Sequence, residues 1–203
     1  FKLHVPPSYD GKRAVTLLID LHGYSSSAND EREKSGQLQQ ADKRGFIVAY
    51  PEGLKGPDGK QSWNGYACCG DSVARNVRDV AFLRAVIALI KQYAFIDPAR
   101  VYVTGISNGG SMAHRMACES ADVVRAVATV SFPLNRRSCA PAKPITVYSI
   151  AGTGDQTIYY NGLFGVDDGA QVNGLPVAYQ SAENSLVAWK GNDGCTSPVG
   201  SGR

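Results

Sequence analysis

Val101-Tyr-Val-Thr-Gly105-Ile106-Ser107-Asn108-Gly109-Gly110-Ser-Met-Ala-His114 is the stretch on which the fold turns. Its first five residues read as a strand, and Asn108 to Glu119 places Met112, Arg115, Met116 and Glu119 at the three- and four-residue steps of a helix. Only Ile106 and Ser107 lie between, so the join is very tight. Gly105 and Gly109 stand two residues either side of Ser107 in a Gly-x-Ser-x-Gly pattern, where strand and helix nearly touch and a side chain has no room. A serine in such a turn takes a strained backbone and presents its hydroxyl at the sheet edge. The helix that begins at Asn108 aims free N–H groups and a positive dipole end at whatever the serine attacks. A Gly-rich turn of this kind also serves as a phosphate cradle, but no Lys-Ser or Lys-Thr follows these glycines. Ser107 is therefore expected to act as a nucleophile.

Upstream, Val15-Thr-Leu-Leu-Ile-Asp-Leu21 is a continuous apolar run, as expected of a strand buried on both faces of a parallel sheet. It ends in His22-Gly23 and a Ser-rich turn. Helical spacing over Ser35 to Arg44 is stopped by Gly45, and Phe46 to Tyr50 reads as the next strand. Glu52 to Ser72 is glycine-rich and without period, which predicts a long surface loop that lines something. An amphipathic helix is expected over Val77 to Tyr93, and a turn at Ile96 to Arg100. Beyond the central stretch, Ala126 to Ser131 and Ile145 to Ile150 read as strands, and Ala182 to Lys190 as a last helix. Strands alternating with helices, without repeat or composition break, predict one α/β domain over residues 1–203 with a doubly wound, mainly parallel sheet.

Composition narrows the function classes. The 203 residues carry 21 basic and 18 acidic side chains, a net charge of +3, with basic residues scattered. That gives no electrostatic reason to expect nucleic acid or an anionic membrane as a partner. No apolar run approaches the roughly 20 residues that span a bilayer, and Phe1 to Val5 lacks the order of a signal peptide, so the chain reads as processed or trimmed. The cysteines, Cys68, Cys69, Cys118, Cys139 and Cys195, lack zinc-site spacings and read as disulfide cysteines of an exported, extracellular or periplasmic, protein. Five is odd, so at least one has no partner in this chain. Cys118 and Cys139 are expected to pair with each other. No metal and no cofactor is implied.

A serine nucleophile needs an oxyanion hole, built in this architecture from the N–H after the serine and one from the loop after an earlier strand. Those are Asn108 and the His22-Gly23-Tyr24 turn, with Tyr24 favoured over Gly23 as donor. The acid should follow the serine at the end of a later strand, which points to Asp155 in Gly152-Thr-Gly-Asp155; Asp167, Asp168 and Asp193 have no strand leading into them. The base should be a histidine after the acid, yet the histidines are His4, His22 and His114. His114 lies seven residues past Ser107, roughly 10 Å along its helix, beyond hydrogen-bond reach, and is expected to be a half-buried packing residue. His22 is expected to shape its own turn, and His4 to sit on an edge strand.

At these residues the sequence resembles the esterase family of polyhydroxybutyrate depolymerases and feruloyl esterases, within the α/β-hydrolases. The resemblance rests on His4-Val-Pro-Pro-Ser-Tyr-Asp10, Asp20-Leu-His-Gly23, Tyr50-Pro-Glu-Gly53, Ser62-Trp-Asn64 with Cys68-Cys69-Gly70, Asp79-Val-Ala-Phe-Leu83, Asp97-Pro-Ala-Arg-Val101 and Gly105-Ile-Ser-Asn-Gly-Gly110. It implies Ser107 as nucleophile, Asp155 as triad acid and oxyanion donors near Gly23, Tyr24 and Asn108. Ala151-Gly152 stands where the family usually has His-Gly, and the segment in which the family carries its catalytic histidine is absent, so the C-terminal part of the fold is expected to lie outside this chain. The implied activity is a secreted serine carboxylesterase acting on aromatic acyl esters of plant polysaccharide or on short polyesters. Trp63, Tyr66, Tyr159 and Tyr160 are candidates for an apolar acyl or sugar-stacking surface. A catalytically inactive binding protein on the same fold, and another acyl hydrolase such as a peptidase or thioesterase, are the alternatives.

Overall fold

The computed structural model describes residues 1–66, 68–135, 139–163, 171–172, 175–176 and 179–196. In chain order, Lys2–His4 (β1), Val15–Leu21 (β2) and Ile47–Tyr50 (β3) are followed by a small hairpin, Leu54–Lys55 (β4) and Gln61–Ser62 (β5), and then by Ile96–Ile106 (β6), Ala126–Val130 (β7) and Thr146–Ile150 (β8). Helices are Ala28–Lys34 (α1), Gln37–Arg44 (α2), Gly70–Ala74 (α3), Asp79–Tyr93 (α4), Asn108–Ser120 (α5) and Ala182–Asn192 (α6). The main sheet has the order β1-β3-β2-β6-β7-β8, with β1 antiparallel on the edge and the rest parallel. The doubly wound, mainly parallel sheet is thus the observed one.

This order explains where a site can form. From β2 the chain moves outward to β3, returns to β6 on the other side, and proceeds to β7 and β8. Where the winding reverses, the loops after β2 and β6 leave in opposite directions and open a crevice at the carboxyl ends of the strands. Leu21 is in register with Gly105 across this switch point, which brings His22-Gly23 beside Ile106-Ser107.

Side chains alternate across each strand. Leu17, Ile19, Leu21, Val101, Val103 and Val127 form one face and are buried with Leu83 and Ile87 of α4 and Met112 and Met116 of α5. On the other face, Val48 and Tyr50 pack against Ala28 of α1 and Ala41 of α2. Further along that second face Ile106, Tyr148 and Ile150 are exposed. No described helix is long and apolar enough to cross a membrane.

Several local expectations are corrected. The Ser-rich turn after His22-Gly23 runs directly into a helix, α1, that the sequence reading leaves out; its start is fixed by Ser27, whose hydroxyl accepts the Asp30 N–H at 3.1 Å, as an N-cap does. The expected turn at 96–100 lies inside β6, because Ile96 is paired with Val15 across a register shift. The loop 52–72 holds the β4–β5 hairpin and the start of α3. The expected bond between Cys118 and Cys139 is present, with Cα atoms 5.3 Å apart; Cys68 is paired with its neighbour Cys69, and Cys195 is exposed and free.

Candidate active site

Ser107 is the single residue between β6 and α5, because β6 runs on through Ile106, and it has φ 53° and ψ −121°, a conformation that suits glycine and strains an L-residue. What enforces it is the closeness of the flanking elements. A Cβ on Gly105 would lie 2.5 Å from the Gly109 carbonyl carbon, and one on Gly109 would lie 2.1 Å from the Leu21 carbonyl oxygen. The turn is tied to the next strand by the Ser107 N–H, which donates to the Val130 carbonyl at 2.8 Å.

The loop after β2 abuts it. A Cβ on Gly23 would stand 3.6 Å from the Ser107 Cβ. His22 is buried, and its Nε2 accepts the Gly53 N–H at 2.9 Å, so Nδ1 carries the proton and donates to the Gly23 carbonyl at 2.8 Å. Burial keeps this imidazole below its ordinary pKa and neutral. Both ring nitrogens are engaged in shaping the turn. Tyr24 is half-buried; its hydroxyl donates to Asp58 at 3.4 Å and Lys60 lies over its ring.

Asp155 comes from the loop after β8, two strands from Ser107, roughly 10 Å at about 4.8 Å per strand. Its Oδ1 accepts N–H groups from Ile158 and Thr157, each at 2.9 Å. Those bonds, the Ile158 one foremost, and the Ser131 hydroxyl hold its carboxyl below the usual range, so it is ionised at neutral pH. Ser131 was missed in the sequence. It leaves β7 with φ 51°, its N–H donates to the Ile150 carbonyl at 2.8 Å, and so it lies between the Ser107 turn and the Asp155 loop. Asp167 and Asp168 lie outside the described residues. Asp193 accepts the Ile145 N–H at 3.2 Å, at the start of β8 rather than its end.

None of the three histidines is placed to serve Ser107. His4 is on edge strand β1, 2.6 Å from Asp42. His114 is fully buried rather than half-buried: its Nε2–H donates to the Phe132 carbonyl at 3.1 Å and its Nδ1 accepts the Trp189 Nε1–H at 3.0 Å. Burial lowers its pKa from 6.5 to about 4. Because the folded-state value is depressed, the stability linked to it is present above about pH 6.5 and is lost as pH falls toward 4. The shift corresponds to about 3 kcal/mol. His114→Gln keeps a donor and an acceptor but does not titrate. The stability advantage of the wild type over it, from denaturant midpoints, is expected to shrink by that amount between pH 7 and pH 4; an unchanged difference would show that His114 titrates normally.

A cleft of about 440 Å³ opens beside Ser107, Gly23, Tyr24 and Ile106 and extends to Asp20 and Glu31. These two carboxyls, in β2 and α1, are buried; desolvation is the largest cause raising both, and their mutual contact keeps a proton on the pair near neutrality. An acid inside the apolar run Leu-Leu-Ile-Asp-Leu was the available signal.

Of the aromatic residues expected to line a substrate surface, Tyr159 is exposed beyond the Asp155 loop, and Tyr160 beside it is half-buried with its hydroxyl 3.4 Å from Glu183. Trp63 and Tyr66 are not brought to the cleft. Trp63 has no exposed surface and donates its indole N–H to the His22 carbonyl at 3.0 Å. Tyr66 donates its hydroxyl to Glu119 at 2.9 Å and lies under Arg115, which is roughly 12 Å along α5 from Ser107.

The chain is 35% identical over 196 residues to feruloyl esterase B of Piromyces equi, covering 94% of this chain and 35% of that protein. It is 30% identical over 128 residues to poly(3-hydroxyalkanoate) depolymerase C of Paucimonas lemoignei, covering 63% of this chain and 30% of that one. The chain therefore spans about a third of the length of these two relatives. Among solved structures, the Bacillus cereus carboxylesterase superposes with a TM-score of 0.61 at 17% identity, over 95% of this chain and 80% of that one, which shows a shared α/β-hydrolase fold. The family model described as esterase PHB (polyhydroxybutyrate) depolymerase matches residues 1–140. With Ser107 at the switch point of such a sheet, the chain belongs to the esterase PHB depolymerase family.

Proposed function

We propose that this chain is the nucleophile-bearing part of a secreted serine carboxylesterase that hydrolyses feruloyl-type aromatic esters on plant polysaccharide, or short polyesters such as polyhydroxybutyrate. The observation that carries the reading is the Ser107 backbone, held at φ 53° in a strand-to-helix turn against the Gly23 loop. A protein gains nothing structural from such strain at a serine. The Ser107 hydroxyl attacks the ester carbonyl while its proton passes to an imidazole supplied by sequence outside these 203 residues. The oxyanion is held by the Asn108 N–H and the Tyr24 N–H beside Gly23. The imidazolium protonates the departing alcohol, and water, deprotonated by the same imidazole, then releases the acid from Ser107. Asp155, already ionised, orients and stabilises the imidazolium. Tyr159 and Tyr160 offer the acyl group or sugar an aromatic surface.

The test is labelling of the full-length protein with a fluorophosphonate, with the adduct located by peptide mass, and turnover of methyl ferulate and of 3-hydroxybutyrate oligomers. An adduct at Ser107 and hydrolysis of either ester are expected; a peptide or thioester hydrolysed in preference would point to another acyl hydrolase. Asp155→Asn is expected to lower kcat on the preferred ester by about 10³- to 10⁴-fold with little change in KM, since the carboxylate touches the imidazole and not the substrate. A loss below tenfold would remove Asp155 from the triad. A second reading, an inactive binding protein, is favoured by one observation: His22 and His114 have both ring nitrogens engaged elsewhere, and His4 is on edge strand β1 beside Asp42. It predicts ester binding with no adduct and no turnover.

A further inference from the structure

Asn108 contributes its backbone to the proposed oxyanion hole, and its side chain is used elsewhere. It is fully buried, and its Oδ1 accepts the Trp63 N–H at 2.7 Å. Its Nδ2 donates to the Trp63 carbonyl at 3.0 Å and to the Cys68 carbonyl at 2.9 Å. The amide thus pairs with the backbone of Trp63 as one strand pairs with another. Both of its protons are committed to the loop, which leaves it no donor for a substrate. Trp63 in turn reaches the opposite wall. Its indole N–H donates to the His22 carbonyl at 3.0 Å, and its ring lies 4.9 Å from the His22 imidazole. His22 passes the contact on to Gly23 through its Nδ1–H. One residue is therefore hydrogen-bonded both to the start of α5 and to the loop after β2, the two segments that supply the two oxyanion donors.

We infer that Trp63, with the Asn108 side chain, is a positioning device that fixes the spacing of the two N–H groups in the oxyanion hole. The inference rests on the esterase reading above. Each donor belongs to a different chain segment, and the register of β2 with β6 ends at Leu21 and Gly105, short of both. Beyond that point the loops lack ladder hydrogen bonds between them, and Trp63 supplies the crosslink. Donors aimed where charge develops must be held to a fraction of an ångström, and a displacement of about 1 Å can lower the rate about 100-fold.

The experiment compares Trp63→Phe, which keeps an aromatic ring and removes the indole N–H, with Asn108→Asp, which keeps the acceptor and removes both donors, and with the double variant. Turnover of p-nitrophenyl acetate is measured on the full-length protein, and thermal unfolding is followed alongside. For each single variant kcat is expected to fall about 10- to 100-fold with KM within about threefold. The double variant is expected to be no worse than the poorer single, because the two act on one linkage. The inference is overturned if the folded variants keep their kcat and lose only melting temperature, if KM rises alone, or if the two losses simply multiply. Should Trp63→Phe fail to fold, Asn108→Asp carries the same expectation alone. Ser107→Ala separates the two levels. If it retains turnover, the esterase reading has failed; if it is dead while the Trp63 and Asn108 variants keep full kcat, only the positioning role has.

Discussion

Alanine at position 107 is expected to reduce ester turnover of the full-length protein by roughly 10⁴-fold or more, while the fold keeps its stability. Removing the nucleophile eliminates the acyl-enzyme route, and what remains over water comes from binding and the oxyanion donors. Stability is untouched because the hydroxyl is not used to hold the turn: the N–H to the Val130 carbonyl and the carbonyl to the Ser111 N–H are backbone bonds that alanine keeps. Glycine makes the contrast sharper. At φ 53° and ψ −121° a Cβ is strained, and Ser107→Gly should be equally inactive yet more stable by about 1–2 kcal/mol. Denaturant midpoints and turnover for the two variants check both statements. A glycine variant less stable than the wild type would mean that the strain argument is wrong, and an alanine variant with more than about 1% of the turnover would mean that another group attacks the ester.

The second large effect is at Gly109. Helix propensity alone would favour alanine there by about 1 kcal/mol. Sterics decide the other way: the added carbon would lie 2.1 Å from the Leu21 carbonyl oxygen and 2.7 Å from that of His22, both backbone atoms of the central strand and its loop. Neither can rotate aside, so α5 has to lift off β2, which opens the core beneath Met112 and Met116. Gly109→Ala is expected to destabilise by about 3 kcal/mol or more and to remove turnover with it. Gly154→Ala, where nothing stands within 4 Å of the new carbon, is the control and should stay within about 0.5 kcal/mol. Equal stabilities for the two variants would show that the helix does not approach the strand as described.

How far the sequence led follows from the range of the interactions involved. Val15 to Leu21 and the Gly105 to Gly110 turn announce themselves because their signals are local: a run of apolar side chains, and glycines two residues either side of a serine. The place of Asp155, in the loop after the strand that is β8, is a local signal of the same kind. Other features depend on contacts across long stretches of chain. Trp63 reads as a loop aromatic, and only the His22 carbonyl 41 residues earlier and the Asn108 amide 45 residues later make it interior. The strained Ser131 carries no residue-type signal, since its conformation is imposed by β7 and β8 lying in parallel register. The start of β6 at Ile96 was hidden by Pro98, which lies within a strand whose neighbour shifts register there. Helix α1 was within reach: Ser27 with Asp30 is a start signal, masked by the serines before it.

Both tryptophans of the chain are buried, and each is tied to a different element near the candidate site, the loop after β2 and helix α5. Trp63 donates to the loop after β2, and Trp189 of α6 donates to His114 on the nucleophile helix and stacks on its ring. The molecule therefore carries its own pair of optical reporters. One emits from beside the oxyanion loop; the other emits from against an imidazole that becomes a quencher once protonated. Light from this protein distinguishes the loop after β2 from the middle of the nucleophile helix without any label attached.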